Sequence, residues 1–296
     1  MKKHIITFFL LLIVGFTSAQ NIDHRLQQKI EETVKGLNGD IGVYVKNLRT
    51  GKVAAFNADT IFPTASMVKV TILIGIEDKI EKGELDYHQQ LEYRDSLYYA
   101  GEDILGSFKN GEKIGLHKVM MLSLTTSDNT ASLWLQSLAG NGMRINQILD
   151  SLGLVNTRVN SRTPGREANR NQYGWAQTTP REMGTLMEKI YNGEVISKKA
   201  SEKMIRLLGR NYNDEQAIAE IPPYIFVASK NGCVNASRSE ILLVIAPHGP
   251  YIFSVETKNL KDQSWDNSNE AWVLTRKLSA LCWNYFEPRS RWKPSL

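Results

Sequence analysis

Phe62-Pro63-Thr64-Ala65-Ser66-Met67-Val68-Lys69-Val70-Thr71-Ile72-Leu73-Ile74 passes from a proline-marked entry into a nearly unbroken apolar run. A run of this length without strict alternation reads as a buried helix. Ser66 and Lys69 stand three residues apart in it, so a helix puts both side chains on one face and brings the amine to the hydroxyl. Ser66 then sits in the first turn, where unpaired N–H groups and the helix dipole favour negative charge. A serine hydroxyl is a weak nucleophile at neutral pH. A neighbouring amine that can shed its proton, because burial or other cations disfavour its charge, supplies the missing base.

A lone Ser-x-x-Lys says little, since the pair is common on solvated helix faces. Here it is followed by Ser127-Asp128-Asn129 and Lys230-Asn231-Gly232, at intervals of 61 and then 103 residues. The second string stands within Leu124-Thr125-Thr126-Ser127-Asp128-Asn129-Thr130-Ala131. Between the second and third lie Glu167-Ala168-Asn169-Arg170-Asn171 and Thr178-Thr179-Pro180.

With these elements the chain resembles the class A β-lactamases and the wider penicillin-recognising serine hydrolases, over nearly all of its length beyond the first nineteen residues. The resemblance implies a set of roles. Ser66 would attack a carbonyl, and Lys69 would take its proton directly or through water; whether Lys69 or Glu167 is the acylation base stays open. Ser127 would pass a proton to the leaving nitrogen, and Asn129 would hold the substrate's amide and touch Lys69. Glu167 would prepare the water that attacks the acyl-enzyme, with Asn171 as the water's second ligand. Lys230 would face the substrate carboxylate, Gly232 would let substrate approach the strand, and the N–H groups of Ser66 and Cys233 would form the oxyanion hole. Arg238, eight residues after Lys230, is expected as a second carboxylate anchor. Asp128 is expected to be structural, accepting backbone hydrogen bonds.

The wording departs from the family in places. Asn231 replaces the threonine or serine whose hydroxyl would donate to the carboxylate, and an amide is a bulkier donor. Only eight residues separate Asn171 from Pro180, and Ala176-Gln177 stands where a loop-closing aspartate is expected. Tyr98 and Tyr99, ahead of a helical stretch, read as core rather than as cleft walls.

Composition narrows the field further. Lys2 and Lys3, the apolar stretch 5–16 and the small residues Thr17-Ser18-Ala19 read as a secretory signal peptide, so a periplasmic or secreted product is expected. The formal charge of +5 falls to +3 without the two leader lysines, and the remaining cations are scattered, which argues against nucleic acid. No cysteine follows the cleavage site to carry a lipid, and no later run is long enough to span a bilayer, so no membrane anchor is expected. The two cysteines, Cys233 and Cys282, give neither a disulfide framework nor zinc spacing and are expected unpaired. The five histidines show no metal or triad spacing, and no Gly-x-Ser-x-Gly elbow occurs. No cofactor or metal is expected.

Around the central helix, 23–35 has helical spacing, 41–46 alternates as a half-buried strand, and 49–52 turns the chain into a second strand at 53–56. Three more strands are expected at 224–230, 240–246 and 251–257, then a terminal amphipathic helix at 269–286. Strands at both ends with helices between predict an α+β fold. Its antiparallel five-stranded sheet is flanked by terminal helices and carries an inserted all-helical subdomain. The expected division is a signal peptide at 1–19, a sheet subdomain at 20–61 and 212–296, and a helical subdomain at 62–211, with the active site at their interface. The expected function is opening of a β-lactam ring through an acyl-serine, by a monomer acting on a small β-lactam or peptidoglycan-like substrate. The alternatives are a D-alanyl-D-alanine peptidase or esterase on the same scaffold, and a β-lactam-binding sensor that does not turn over.

Overall fold

Residues from both ends of the chain build one sheet. The computed structural model describes residues 21–101 and 103–293; the expected signal peptide lies outside the described residues. Strands β1 (Asp40–Asn47) and β2 (Val53–Phe56) come from the N-terminal segment. Strands β3 (Val227–Val234), β4 (Ser237–Val244) and β5 (Tyr251–Lys258) come from the C-terminal one. They form an antiparallel sheet in the order β2-β1-β5-β4-β3, with Asp40 opposite Lys258 and Val43 opposite Val255.

Helices cover both faces of this sheet. α1 (His24–Thr33) and α9 (Glu270–Phe286) lie on one face, where Leu26, Ile30, Leu278 and Trp283 pack with Val43, Leu242 and Phe253. Their starts are fixed by side chains, Asp23 accepting from Leu26 N–H and Asn269 from Ala271 N–H. On the other face, Ile241, Leu243 and Ile252 join the core of the helical region. Ile41 through Val45 are therefore all buried, where the sequence pattern predicts one wet face.

The helical region comprises α2 (Val68–Glu81), α3 (Leu116–Thr125), α4 (Asn129–Leu138), α5 (Asn141–Ser151), α6 (Glu167–Tyr173), α7 (Pro180–Tyr191) and α8 (Lys198–Leu208). α2 runs through its centre, with every residue from Val68 to Asp78 buried. Each of Ile72, Leu73, Ile74 and Ile76 contributes about 1.5–3 kcal/mol by leaving water, which holds the start of α2 in place. A three-stranded ribbon pairs Phe62–Pro63 with 177–178 and 176–177 with Arg158–Val159. It ties the base of the loop carrying α6 to the chain that enters α2.

One boundary differs in a way that matters. The first C-terminal strand is expected to stop at Lys230, but β3 runs on to Val234 and pairs through its whole length with β4. Lys230 is thus a mid-strand residue opposite Ile241. Cys282 is a free thiol, and burial in α9 pushes it up to about 12.

Candidate active site

The helical start at Ser66 is not smooth. Ala65 has φ of +44°, a left-handed conformation that costs a residue with a Cβ on the order of 1–3 kcal/mol. It opens a single 3₁₀ turn, Ala65–Met67, which leads directly into α2. Ser66 is half-buried there, and Lys69, one turn on, is fully buried.

Among the described residues, four oxygens hold the Lys69 amine. Its Nζ lies 3.1 Å from Ser66 Oγ, 2.9 Å from Ser127 Oγ and 3.0 Å from Asn129 Oδ1, and it also donates to the Ser127 carbonyl. Ser127 reaches this position with φ of +61°, immediately before α4. Asp128 explains how that turn is kept. Its buried carboxylate caps α4 through Ala131 N–H at 2.7 Å and accepts from Ile104 and Leu105 N–H at 2.7 and 2.9 Å. Burial pushes its pKa up against those hydrogen bonds. Asp128 is therefore a brace between two loops, as expected, and Ser127 and Asn129 are presented by it.

β3 closes the opposite side. A Cβ added to Gly232 would lie 2.5 Å from Thr64 O and 2.7 Å from Ser66 N, so only glycine lets the strand pass this close to Ser66. The Ser239 hydroxyl on β4 lies 3.1 Å from both Thr64 O and Gly232 O and bridges the same contact. Ser66, Ser127, Asn129, Asn231, Gly232 and Cys233 all line one cavity of about 840 Å³. Lys230 is fully buried, its Nζ 3.1 Å from Asn231 Oδ1, so the amide at 231 accepts a hydrogen bond from the lysine. The arrangement is competent for acyl transfer. One buried amine bridges two serine hydroxyls, and the Ser66 N–H opens beside a strand whose next N–H belongs to Cys233.

The model of the Beta-lactamase enzyme family matches residues 25–286. The chain belongs to that family. It is 24% identical over 291 residues to the β-lactamase VEB-1 of Pseudomonas aeruginosa, covering 94% of this chain and 95% of the relative. Among solved structures, an acyl-enzyme complex of a Leu-to-Glu variant of PBP-A with penicillin G superposes with a TM-score of 0.80 at 26% identity, over 91% of this chain and 98% of that one. A β-lactamase from Sphaerobacter thermophilus shares the fold with a TM-score of 0.78 at 20% identity, covering 88% of this chain and 96% of that one. The α+β fold is thus that of the class A β-lactamases and penicillin-recognising serine hydrolases.

Three expected site residues stand elsewhere. Glu167 is exposed, and its carboxylate accepts the N–H of Gly165 at 3.1 Å rather than facing Ser66. Asn171 is also exposed and lines a separate cavity with Arg170, Lys258 and Asn235. The reason lies one residue before Glu167. Arg166 turns inward, donating to Asn160 Oδ1 at 2.7 Å and to Gln177 Oε1 at 3.0 Å, and Asn169 donates to the same Gln177 oxygen. With 3.6 residues per helical turn, a neighbour one step on points about 100° away. Gln177 thus closes the loop in the aspartate's place, and the short loop leaves Glu167 outside.

Arg238 is the third correction. It is fully buried but does not line the Ser66 cavity; its guanidinium donates to the carbonyls of Asn235, Ser237 and Ser264. It lies opposite Cys233 in the β3–β4 register, one residue off the face that carries Lys230 and Gly232. Its side chain therefore leaves toward α9, under Trp265 and Trp272. Tyr98 and Tyr99, expected in the core, are both exposed, and the Tyr99 ring packs edge-on against Trp175. Among the described residues no group of three or more His, Cys, Asp or Glu could hold a metal ion, and no helix is long and apolar enough to cross a membrane.

Sequence reasoning missed the far wall of the cavity, formed by residues 211–216 with Trp265, Asn267 and Trp272. No local pattern marks these residues. They reach the cleft only because α9 and the chain ahead of β3 pack beside it.

Proposed function

We propose that the protein opens β-lactam rings by acylating Ser66 and releases the acyl group slowly. The observation that carries this reading is Lys69 Nζ, within hydrogen-bond distance of both Ser66 Oγ and Ser127 Oγ. In that position Lys69 takes the proton from Ser66, and the Ser127 hydroxyl hands one to the leaving nitrogen, while the Ser66 and Cys233 amides stabilise the oxyanion. Lys230, Asn231 and Gly232 form the strand against which the substrate lies, with Asn129 on the other side. The slow second step follows from Glu167, whose carboxylate is turned to Gly165 and solvent. Membership of the β-lactamase enzyme family supports the substrate class.

The same exposure of Glu167 favours a second reading, a D-alanyl-D-alanine peptidase on this scaffold, since the acylation half is complete and the water-activating half is not. The signal-like N-terminus supports export in either case, with the chain working outside the cytoplasm as a monomer.

One experiment separates the readings. Purified protein is mixed with a chromogenic cephalosporin while absorbance and intact mass are followed. The expected result is a burst of about one equivalent, a slow steady state and a lasting adduct on Ser66. Fast linear turnover without an adduct would establish an efficient β-lactamase. Release of D-alanine from an acylated Lys-D-Ala-D-Ala peptide, alongside the lasting cephalosporin adduct, would establish the peptidase.

A further inference from the structure

The Ser66 cavity is larger than the catalytic cluster needs. Beyond Ser127 it continues along a wall of Asn211, Tyr212, Asn213, Asp214, Glu215 and Gln216, and is closed by Trp265. Backbone and side-chain bonds fix where this wall stands. Tyr212 N–H donates to Thr125 O at 3.0 Å, two residues from Ser127, and Asn211 Nδ2 donates to Ser229 Oγ at 3.0 Å, beside Lys230. The wall is therefore on the side where a leaving nitrogen departs, away from α6. Arg276 braces it from behind, donating to Gln216 Oε1 at 2.6 Å and to Asn267 O.

Trp265 is the unusual member. It is 67% exposed, yet its ring is held, because the Arg238 guanidinium lies 5.0 Å from its centroid. Arg238 is itself pinned by three carbonyls and fully buried, and its Nε has no hydrogen-bond partner. The indole thus rests against a fixed cation and also lines the cavity. An aromatic ring immobilised in advance loses little freedom when a flat group stacks on it, and its quadrupole attracts a cation. Tyr212, 76% exposed, adds a second ring, and the exposed carboxylates of Asp214 and Glu215 set the sign of charge along the wall.

We propose that this wall is a subsite for a flat, positively charged group on the leaving-nitrogen side of the acyl donor, with Trp265 as its stacking platform and Arg238 as the residue that positions the platform. The inference rests on the reading of Ser66 as a nucleophile toward β-lactams. It commits to a substrate class, cephalosporins or peptide-like acyl donors bearing a planar cation beyond the scissile amide.

The test is made by calorimetry on the full protein carrying Ser66→Ala, so that binding is read without acylation. Two cephalosporins with the same 7-acyl group are compared, one with a 3-pyridiniummethyl and one with a 3-acetoxymethyl substituent. The pyridinium compound is expected to bind about fivefold tighter, the upper end for a cation on an exposed indole. In the Trp265→Ala background the preference should fall below about twofold, while Trp265→Phe, which keeps a ring, should retain most of it. Asp214→Asn with Glu215→Gln should lower it about threefold and remove its salt dependence. Equal affinities, an unchanged preference in a folded Trp265→Ala protein, or no binding of either compound at millimolar concentration would overturn the proposal. Failure of the unmodified protein to acylate, with the pyridinium preference intact, would sink the reading of Ser66 and leave the subsite standing.

Discussion

The Arg166 guanidinium donates to the side-chain oxygen of Gln177 at 3.0 Å, closing the base of the α6 loop with one charge and one neutral amide. Gln177 is nearly fully buried, and its oxygen also receives Asn169. Gln177→Glu keeps the shape, turns the Arg166 contact into an ion pair and makes the Asn169 hydrogen bond charge-assisted, roughly twice as strong as a neutral one. The variant should gain about 1 kcal/mol in thermal or denaturant unfolding. A lower midpoint would mean that the Gln177 amide is needed as a donor.

Gly232→Ala should damage both stability and chemistry. The added methyl meets backbone atoms at Thr64 and Ser66, which cannot rotate away, so a cost of about 1–3 kcal/mol is expected. Any retreat of β3 also pulls Cys233 N–H from the oxyanion position, and losing one such donor lowers acylation about 10²–10³-fold. Acylation within a few-fold of normal in the folded variant would show that the contact is not needed.

Glu167→Gln separates the two halves of the reaction. A carboxylate that faces Gly165 and solvent contributes nothing to water activation, so slow turnover should change by less than about twofold. A drop of about 10²-fold, with the acyl-enzyme accumulating further, would show that the loop swings Glu167 into the cleft during the cycle.

Stability should fall as pH rises from about 5 to 8. Glu240 on β4 and Glu256 on β5 are fully buried, and burial pushes their carboxyls up to about 7 and about 8. Glu240 accepts Ala217 N–H at 2.8 Å and is also held by Ile218 N–H, Glu256 accepts the Ser254 hydroxyl at 2.7 Å, and each has one oxygen without a partner. The folded chain holds both protons where the unfolded chain has released them above about 4.5, so unfolding liberates protons in this window. Their contribution is complete below that pH and is lost as pH rises through 7 and 8, with a slope of roughly 1 kcal/mol per pH unit for each carboxyl. Denaturant melts at several pH values should show this slope, and Glu240→Gln with Glu256→Gln should flatten it. A stability that rises with pH over the same range would contradict it.

What could be read from the sequence was what chain geometry decides locally. Ser66 and Lys69 meet because three residues on a helix share a face, and the central helix is legible because nothing polar interrupts it. The sheet drawn from both ends followed from strands that had no other partners. Arg238 and Glu167 were misplaced for a different reason, since each turns on a one-residue step. In a strand that step selects the opposite face, and on a helix it rotates the side chain by about 100°. Trp265 could not be found at all, because its place depends on Arg238 and α9, which meet only in the folded chain.

The pairing of Asp40 with Lys258 has a consequence for timing. A sheet joined from sequence-distant ends forms late and as a unit. Ser66 and Lys69 can share a helical turn well before that, but Gly232 reaches Ser66 only when β3 has docked on β4 and β5 has closed against β1. A partly made chain therefore holds Ser66 and Lys69 together without Gly232 beside them, and the whole cluster is assembled when the last strand seats.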